Sequence, residues 1–274
     1  MLLAFTGRAW EAEEMTQNPA APTTPLGSVG SLGTAVVSGA SSGIGAATAI
    51  ALSTIGFDVV IGARRVERLS EVAKQCPGPV AVHQLDVTDD GSVNHFVASI
   101  PECHVLINNA GGALGVDPIA TADIAKWQTM YDTNLLGTLR LTKGLLDKLT
   151  DSGNGHVVVV GSIAGIESYR GGAGYNAAKA AQHSFCEVLR QETVGLPIRV
   201  SEVQPGLVET EFSVVRFDGD QDRADAVYEG LTPLSALDVA DLIAFIVTRP
   251  PHVNLATTLL LPRDQATVAV THRS

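Results

Sequence analysis

From Thr34 onward, short unbroken apolar runs alternate with longer stretches in which apolar residues recur every three or four positions. The run Thr34–Ser38 ("TAVVS") predicts a buried strand. An alanine-rich helix is expected over Ile44–Ile55, a second strand over Asp58–Gly62, and a charged helix from Arg65 to Gln75. A third strand over Val80–Leu85 precedes a helix over Asp89–Ser99, which Pro101 stops. Val105–Asn108 is a fourth strand, and Ile124 to Leu149 reads as one long amphipathic helix. His156–Ser162, Ile198–Val203 and Thr258–Leu261 complete the strands, with a helix over Gly174–Thr193 between the fifth and sixth. Strand, helix, strand in steady repetition implies right-handed crossovers. The expected fold class is α/β, a single doubly wound domain with a mostly parallel seven-stranded sheet and helices on both faces. Such sheets bind ligands beyond the carboxyl ends of their strands, where the strand order reverses. Chemistry is therefore sought just after each strand.

Residues 1–32 break the pattern. "NPAAPTTPLGSVGSLG" is rich in Pro, Gly, Ser and Thr without a period, which predicts a flexible tail and leaves 33–274 as the domain. Met1–Glu14 lacks the basic start and apolar stretch of a signal peptide, and Met15 offers an alternative initiator. With 274 residues, 45% hydrophobic and 17% charged, the chain can bury one large core. Its 27 glycines and 5% aromatics suit Val/Ile strands joined by Gly turns. A net charge of −11 disfavours nucleic acid and anionic lipid, and no run is long and apolar enough to span a membrane. Cys76, Cys103 and Cys186 are widely spaced, so reduced thiols and a cytoplasmic location are expected. The seven histidines form no metal-ligand pattern, and no metal is expected. His83 and His104 flank strand-like runs and read as structural.

After the first strand stands "SGASSGIG", with Gly39, Ser41, Ser42, Gly43, Ile44 and Gly45. Glycines here permit a tight turn and let backbone approach a pyrophosphate at the helix N-terminus. The spacing is G-x-x-x-G-x-G. About twenty residues past such a turn, an acidic residue would select a free ribose 2′-hydroxyl. This chain instead has Arg64 and Arg65, two cations suited to a 2′-phosphate, which points to NADP(H); Arg68 reads as a solvated helix residue. Asp86 and Val87 follow the third strand, at the place for an adenine, although Asp86 also suits a helix cap. Asn109, Ala110 and Gly111 follow the fourth and are expected to pass under the cofactor, with Asn108 tying strands together.

In "GYNAAKAA", Tyr175 and Lys179 stand at i and i+4 among small residues, on one helix face. A free phenol titrates near pH 10, and an ammonium one turn away favours the phenolate, which lets it exchange protons with an alcohol near neutrality. Lysine can also hold ribose hydroxyls, and the small residues leave room for a cofactor. Ser162 ends the fifth strand and offers a hydroxyl to a carbonyl oxygen gaining charge. Asn134 lies inside the long helix, where Asn is unfavourable, and so calls for a reason such as holding a proton-relaying water.

With these motifs the chain resembles the short-chain dehydrogenase/reductase family in its one-domain branch. The match rests on "SGASSGIG", "LDV", "NNAG", Asn134, Ser162, "YNAAK" and "PGLVETEF", from about Thr34 onward. The resemblance implies a Rossmann domain and a catalytic tetrad of Asn134, Ser162, Tyr175 and Lys179. It also implies that Pro205, Gly206, Val208 and Thr210 hold the nicotinamide amide and pyrophosphate. Ser38 stands where the family has Thr, and His104 where it has Asp.

Two further stretches, "ALGVDPIATADIAKWQTMYDTNLLG" and "PGLVETEFSVVRFDGD", resemble the NADP-dependent 3-hydroxy acid dehydrogenases of that family. The likeness implies a small substrate with a carboxylate, oxidised at its 3-hydroxyl. Arg216, after the sixth strand, is the candidate to grip that carboxylate bidentately. The family also implies a homotetramer. The tail "QATVAVTHRS" is too apolar in Val268, Ala269 and Val270 to float freely and is expected to cover a partner subunit's site. Other readings are a reductase of ketoacyl thioesters, steroids or quinones, and a cofactor-binding regulator without turnover. A sugar-nucleotide epimerase would need more residues past Thr210.

Overall fold

The computed structural model describes residues 30–274, and the compact unit runs from Ser31 to Ser274. The expected tail therefore lies, up to residue 29, outside the described residues. Leu32 N donates to Gly56 O at 2.9 Å.

Seven strands form one sheet: β1 (Thr34–Ser38), β2 (Asp58–Ala63), β3 (Val80–Gln84), β4 (Val105–Asn108), β5 (Gly155–Val160), β6 (Ile198–Pro205) and β7 (Thr257–Leu260). Their order is β3-β2-β1-β4-β5-β6-β7 and every pairing is parallel. The order reverses between β1 and β4, which opens a crevice at their carboxyl ends. Alternation along β1 explains the two-sided burial. Ala35 and Val37 join one core with Leu52, Leu69 and Ile243, while Val36 joins another with Phe96, Leu145 and Leu189.

The first core lies under α1 (Gly43–Thr54), α2 (Val66–Ala73) and, later in the chain, α9 (Ala236–Val247). The opposite core lies under α3 (Asp90–Ala98), α5 (Gly137–Asp151) and α6 (Ala173–Glu192). The sequence pattern missed α9. It begins with a reciprocal cap between Ser235 and Asp238, and it packs on α1 through Val239, Ile243 and Ile246. Two short helices, α7 (Phe212–Arg216) and α8 (Gln221–Ala226), were also unforeseen.

The long helix expected from Ile124 is interrupted. It divides into α4 (Ile124–Tyr131), a π turn over Asp132–Leu136, and α5. The Gly137 N–H reaches back five residues to Asp132 O. A π insertion of this kind shifts the face that follows it and is frequent at functional positions.

Where the family has Asp, His104 Nδ1 accepts from Thr34 N at 3.1 Å and joins the start of β1 to β4. His83 packs edge-on against Phe96, with ring centroids 6.0 Å apart. The strand tie expected of Asn108 belongs to Asn109, whose Nδ2 donates to Ser38 O at 3.0 Å and Gly39 O at 3.2 Å. Asn108 instead joins β4 to α5 by donating to Thr142 Oγ1 at 3.0 Å.

Candidate active site

The crevice at the β1/β4 reversal collects most residues singled out from the sequence. Gly39, Ser41, Ser42, Gly43 and Ile44 line it from the first turn, and Arg64, Arg65, Asp86 and Val87 from the ends of β2 and β3. Asn109, Ala110 and Gly111 form its floor after β4. Ser162, Tyr175 and Lys179 stand at one end, with Pro205, Gly206, Val208, Thr210 and Arg216 across from the glycine turn. Gly45 and Asn134 lie behind the wall rather than in it.

Gly39 has φ +66°, and a Cβ there would stand 2.8 Å from Ala110 Cα, so both conformation and space require glycine. A Cβ at Gly45 would strike Gly39 O and the Asn109 side chain. The α1 N-terminus that follows carries no side-chain cap at Ser42 and no acid in its first turn. Its free N–H groups and positive dipole end therefore face the crevice, which fits a pyrophosphate.

At the far rim, Arg65 Nη2 donates to Ser41 Oγ at 3.0 Å and Ser42 Oγ at 2.9 Å. Arg65 and Arg68 both pair with Glu211, at 3.1 and 2.5 Å. Arg68 is 49% exposed on α2, as its reading as a solvated helix residue expects, and it pairs with Glu211 at the rim. Arg64 lines the crevice and helps hold Asp86 below the usual carboxylate range, together with hydrogen bonds from Thr88 that outweigh burial. Asp86 caps no helix. Its Oδ1 accepts from Thr88 N at 3.0 Å, and Asp89 caps α3 instead. Arg64, Arg65 and two serine hydroxyls suit a ribose 2′-phosphate.

Tyr175 and Lys179 share the buried face of α6, with Nζ 5.9 Å from the tyrosine ring centroid. Ser162 lies two residues beyond β5 and caps a 3₁₀ turn over Ile163–Gly165. Burial raises the Tyr175 phenol above its ordinary range, while Ser162 and Arg216 pull the other way. The expected dominance of lysine over the phenol is not what this arrangement shows. Burial likewise draws Lys179 down to about 8, with Glu202 and Cys186 opposing.

Asn134 is fully buried, and its side chain bonds the loop after β4. Its Oδ1 accepts from Gly112 N at 3.2 Å, and its Nδ2 donates to Gly112 O at 2.9 Å and Met130 O at 2.7 Å. The side chain staples the π turn to the loop after β4.

Arg216 Nε donates to Gly115 O at 3.1 Å, and its Cζ lies 5.3 Å from the Tyr169 ring and 5.9 Å from that of Tyr175. Arg216 Nη2 and the Tyr169 hydroxyl are both buried without a hydrogen-bond partner. Tyr169 escaped notice in the sequence, where it sits in an irregular stretch without a motif.

The C-terminal tail folds on its own chain. Gln265 Oε1 accepts from Leu207 N at 2.8 Å, Val268 N donates to Glu167 Oε2 at 2.7 Å, and Ser274 N donates to Gly230 O at 2.8 Å.

Comparison with known proteins agrees with this architecture. The family described as short chain dehydrogenase matches residues 33–220. An uncharacterized oxidoreductase of Mycobacterium tuberculosis is 56% identical over 235 residues, covering 86% of this chain and 93% of the relative. The NADP-dependent 3-hydroxy acid dehydrogenase of Schizosaccharomyces pombe is 42% identical over 241 residues, covering 85% and 93%. The closed form of a serine dehydrogenase complexed with NADP+ superposes with a TM-score of 0.83 at 35% identity, covering 88% of this chain and all of that one. The chain belongs to the short-chain dehydrogenase family.

Proposed function

We propose that this protein is an NADP-dependent oxidoreductase that interconverts a small 3-hydroxy acid, or a hydroxy amino acid such as serine, with its 3-oxo counterpart. The observation that carries the substrate class is Arg216 beside Tyr175, with its Cζ 5.9 Å from the Tyr175 ring and its Nη2 buried without a hydrogen-bond partner. An unmet guanidinium donor is costly unless a ligand meets it, and a carboxylate is the natural complement. The NADP-dependent relatives and the Arg65–Ser41–Ser42 cluster support the cofactor.

The nicotinamide, when bound, accepts or supplies the hydride. The chain's own part is acid–base and positional. In reduction Tyr175 gives its proton to the carbonyl oxygen, and Ser162 donates to that oxygen as charge develops. In oxidation the phenolate takes the alcohol proton while the C–H electron pair leaves as hydride. Lys179 holds the ribose hydroxyls. Burial holds the phenol above its ordinary range, so Tyr175 carries its proton at neutral pH.

Exposed Ile124, Tyr131, Leu139 and Val188 on one side, and Leu237, Phe245 and Leu259 on another, support a homotetramer. Unpaired Cys76, Cys103 and Cys186 support a cytoplasmic location.

The test is NADP-linked absorbance with serine, allo-threonine, 3-hydroxybutyrate-type acids and simple ketones or alcohols side by side. Acids are expected to be preferred, and Arg216→Ala to raise their KM at least tenfold while leaving neutral substrates unchanged. Equal loss on both classes would remove Arg216 from recognition. A preference for neutral substrates in the parent would remove the hydroxy-acid assignment.

A further inference from the structure

Gln182 lies seven residues beyond Tyr175 and three beyond Lys179, on the same stripe of α6, and is 1% exposed. Its Oε1 accepts from Lys179 Nζ at 2.8 Å. Its Nε2 donates to the Asn134 carbonyl oxygen at 3.0 Å and to Thr138 Oγ1 at 2.9 Å. Thr138 Oγ1 in turn donates to Asn134 O at 2.7 Å, so only its acceptor side faces Gln182. The amide has one workable orientation. Rotated by half a turn, it would set its NH₂ against the ammonium and its oxygen against a carbonyl.

Lys179 Nζ has a second fixed acceptor, Val160 O at 2.8 Å on β5. Two oxygens from two elements therefore hold Nζ, and one N–H remains for the crevice. Only the ammonium form has three N–H groups for this arrangement. We propose that Gln182 is a positioning residue for the reaction: anchored on the π turn at Asn134, its amide aims the Lys179 ammonium into the cofactor crevice. The inference rests on the role given to Lys179 above. It also accounts for the π turn, which brings the Asn134 carbonyl to the buried face of α6.

Other groups bear on the charge of Lys179. Glu202 on β6 and Cys186 on α6 favour its protonated form against burial. Glu202 Oε2 is held by His183 Nδ1 at 2.6 Å, and Tyr175 precedes Lys179 by one turn. Among these side chains Gln182 is the one that hydrogen-bonds Nζ.

Gln182→Met keeps the size of the side chain and removes both hydrogen-bonding functions. The experiment measures NADPH dissociation constants by fluorescence, and the pH profile of reductive kcat, for Gln182→Met, Lys179→Met and the double variant. Losing one hydrogen bond to an ammonium corresponds to about a tenfold change. Gln182→Met is thus expected to weaken NADPH binding about tenfold and to move the basic limb of kcat down by about one pH unit. In the Lys179→Met background the same change should alter NADPH binding less than about twofold, as expected when one residue acts through another. Equal weakening in both backgrounds, or an unmoved limb with unchanged binding, would overturn the inference. Parental binding and turnover in Lys179→Met would instead remove the role of Lys179 itself. If Gln182→Met does not fold, Gln182→Glu carries the test. A carboxylate against Nζ should move the basic limb to higher pH, and an unmoved limb would refute the proposal.

Discussion

The clearest quantitative consequence concerns Arg65 and the discrimination between phosphorylated and unphosphorylated cofactor. In Arg65→Ala the guanidinium that bridges Ser41 and Ser42 at 3.0 and 2.9 Å is lost. Hydrogen bonds from a guanidinium to a charged acceptor contribute about 1.5–3 kcal/mol. Arg65 is 44% exposed and already pairs with Glu211 at 3.1 Å. Such an exposed pair is worth at most about 1 kcal/mol, so giving it up offsets little of the gain from a phosphate. Arg65→Ala should therefore weaken NADP+ by about 10- to 150-fold and leave NAD+ within about twofold. Glu211→Gln reverses the logic. It removes a carboxylate from the neighbourhood of the 2′-phosphate and should tighten NADP+ by a few-fold, more at low salt than at high. Titration of tryptophan or NADPH fluorescence gives both constants. Equal loss for NADP+ and NAD+ in Arg65→Ala would refute the assignment of this corner to the 2′-phosphate.

Further outcomes follow from the same geometry. The reductive rate should fall as pH rises through about 8, because the Lys179 ammonium loses its proton there and the site loses its positive charge. Lys179→Met should be slow throughout and lack that limb, as a pH–rate profile would reveal. Gly39→Ala places a methyl 2.8 Å from Ala110 Cα at φ +66°, so it should lower thermal stability by about 1–3 kcal/mol and impair NADPH binding; a variant with parental melting and binding would contradict the close packing of this turn.

Much of this was legible in the chain itself, and what was missed has identifiable causes. Strands β1, β4 and β5 are unbroken apolar runs, which only a sheet buried on both faces demands, so they were readable. The Tyr175–Lys179 pair stood out because alanines surround it. The π turn left no mark, since one inserted residue in a long helix disturbs the periodicity less than ordinary scatter does. Helix α9 was overlooked although Ser235 and Asp238 form an S-x-x-D start before an apolar stretch. Gln182 completes an i, i+4, i+7 stripe with Tyr175 and Lys179, a signal that was present but not followed. Tyr169 had no such signal. Its relation to Arg216 depends on a loop that only the folded chain brings alongside the crevice.

The roles of Arg216, Lys179 and Gln182 all presuppose that a phenol exchanges the proton. Turnover of Tyr175→Phe, measured by NADPH absorbance beside a fluorescence titration of NADPH, tests this most directly. The account predicts a rate lower by about 10²- to 10⁴-fold with cofactor affinity within about threefold of the parent. A Phe variant that binds NADPH and still turns over at the parental rate would contradict it.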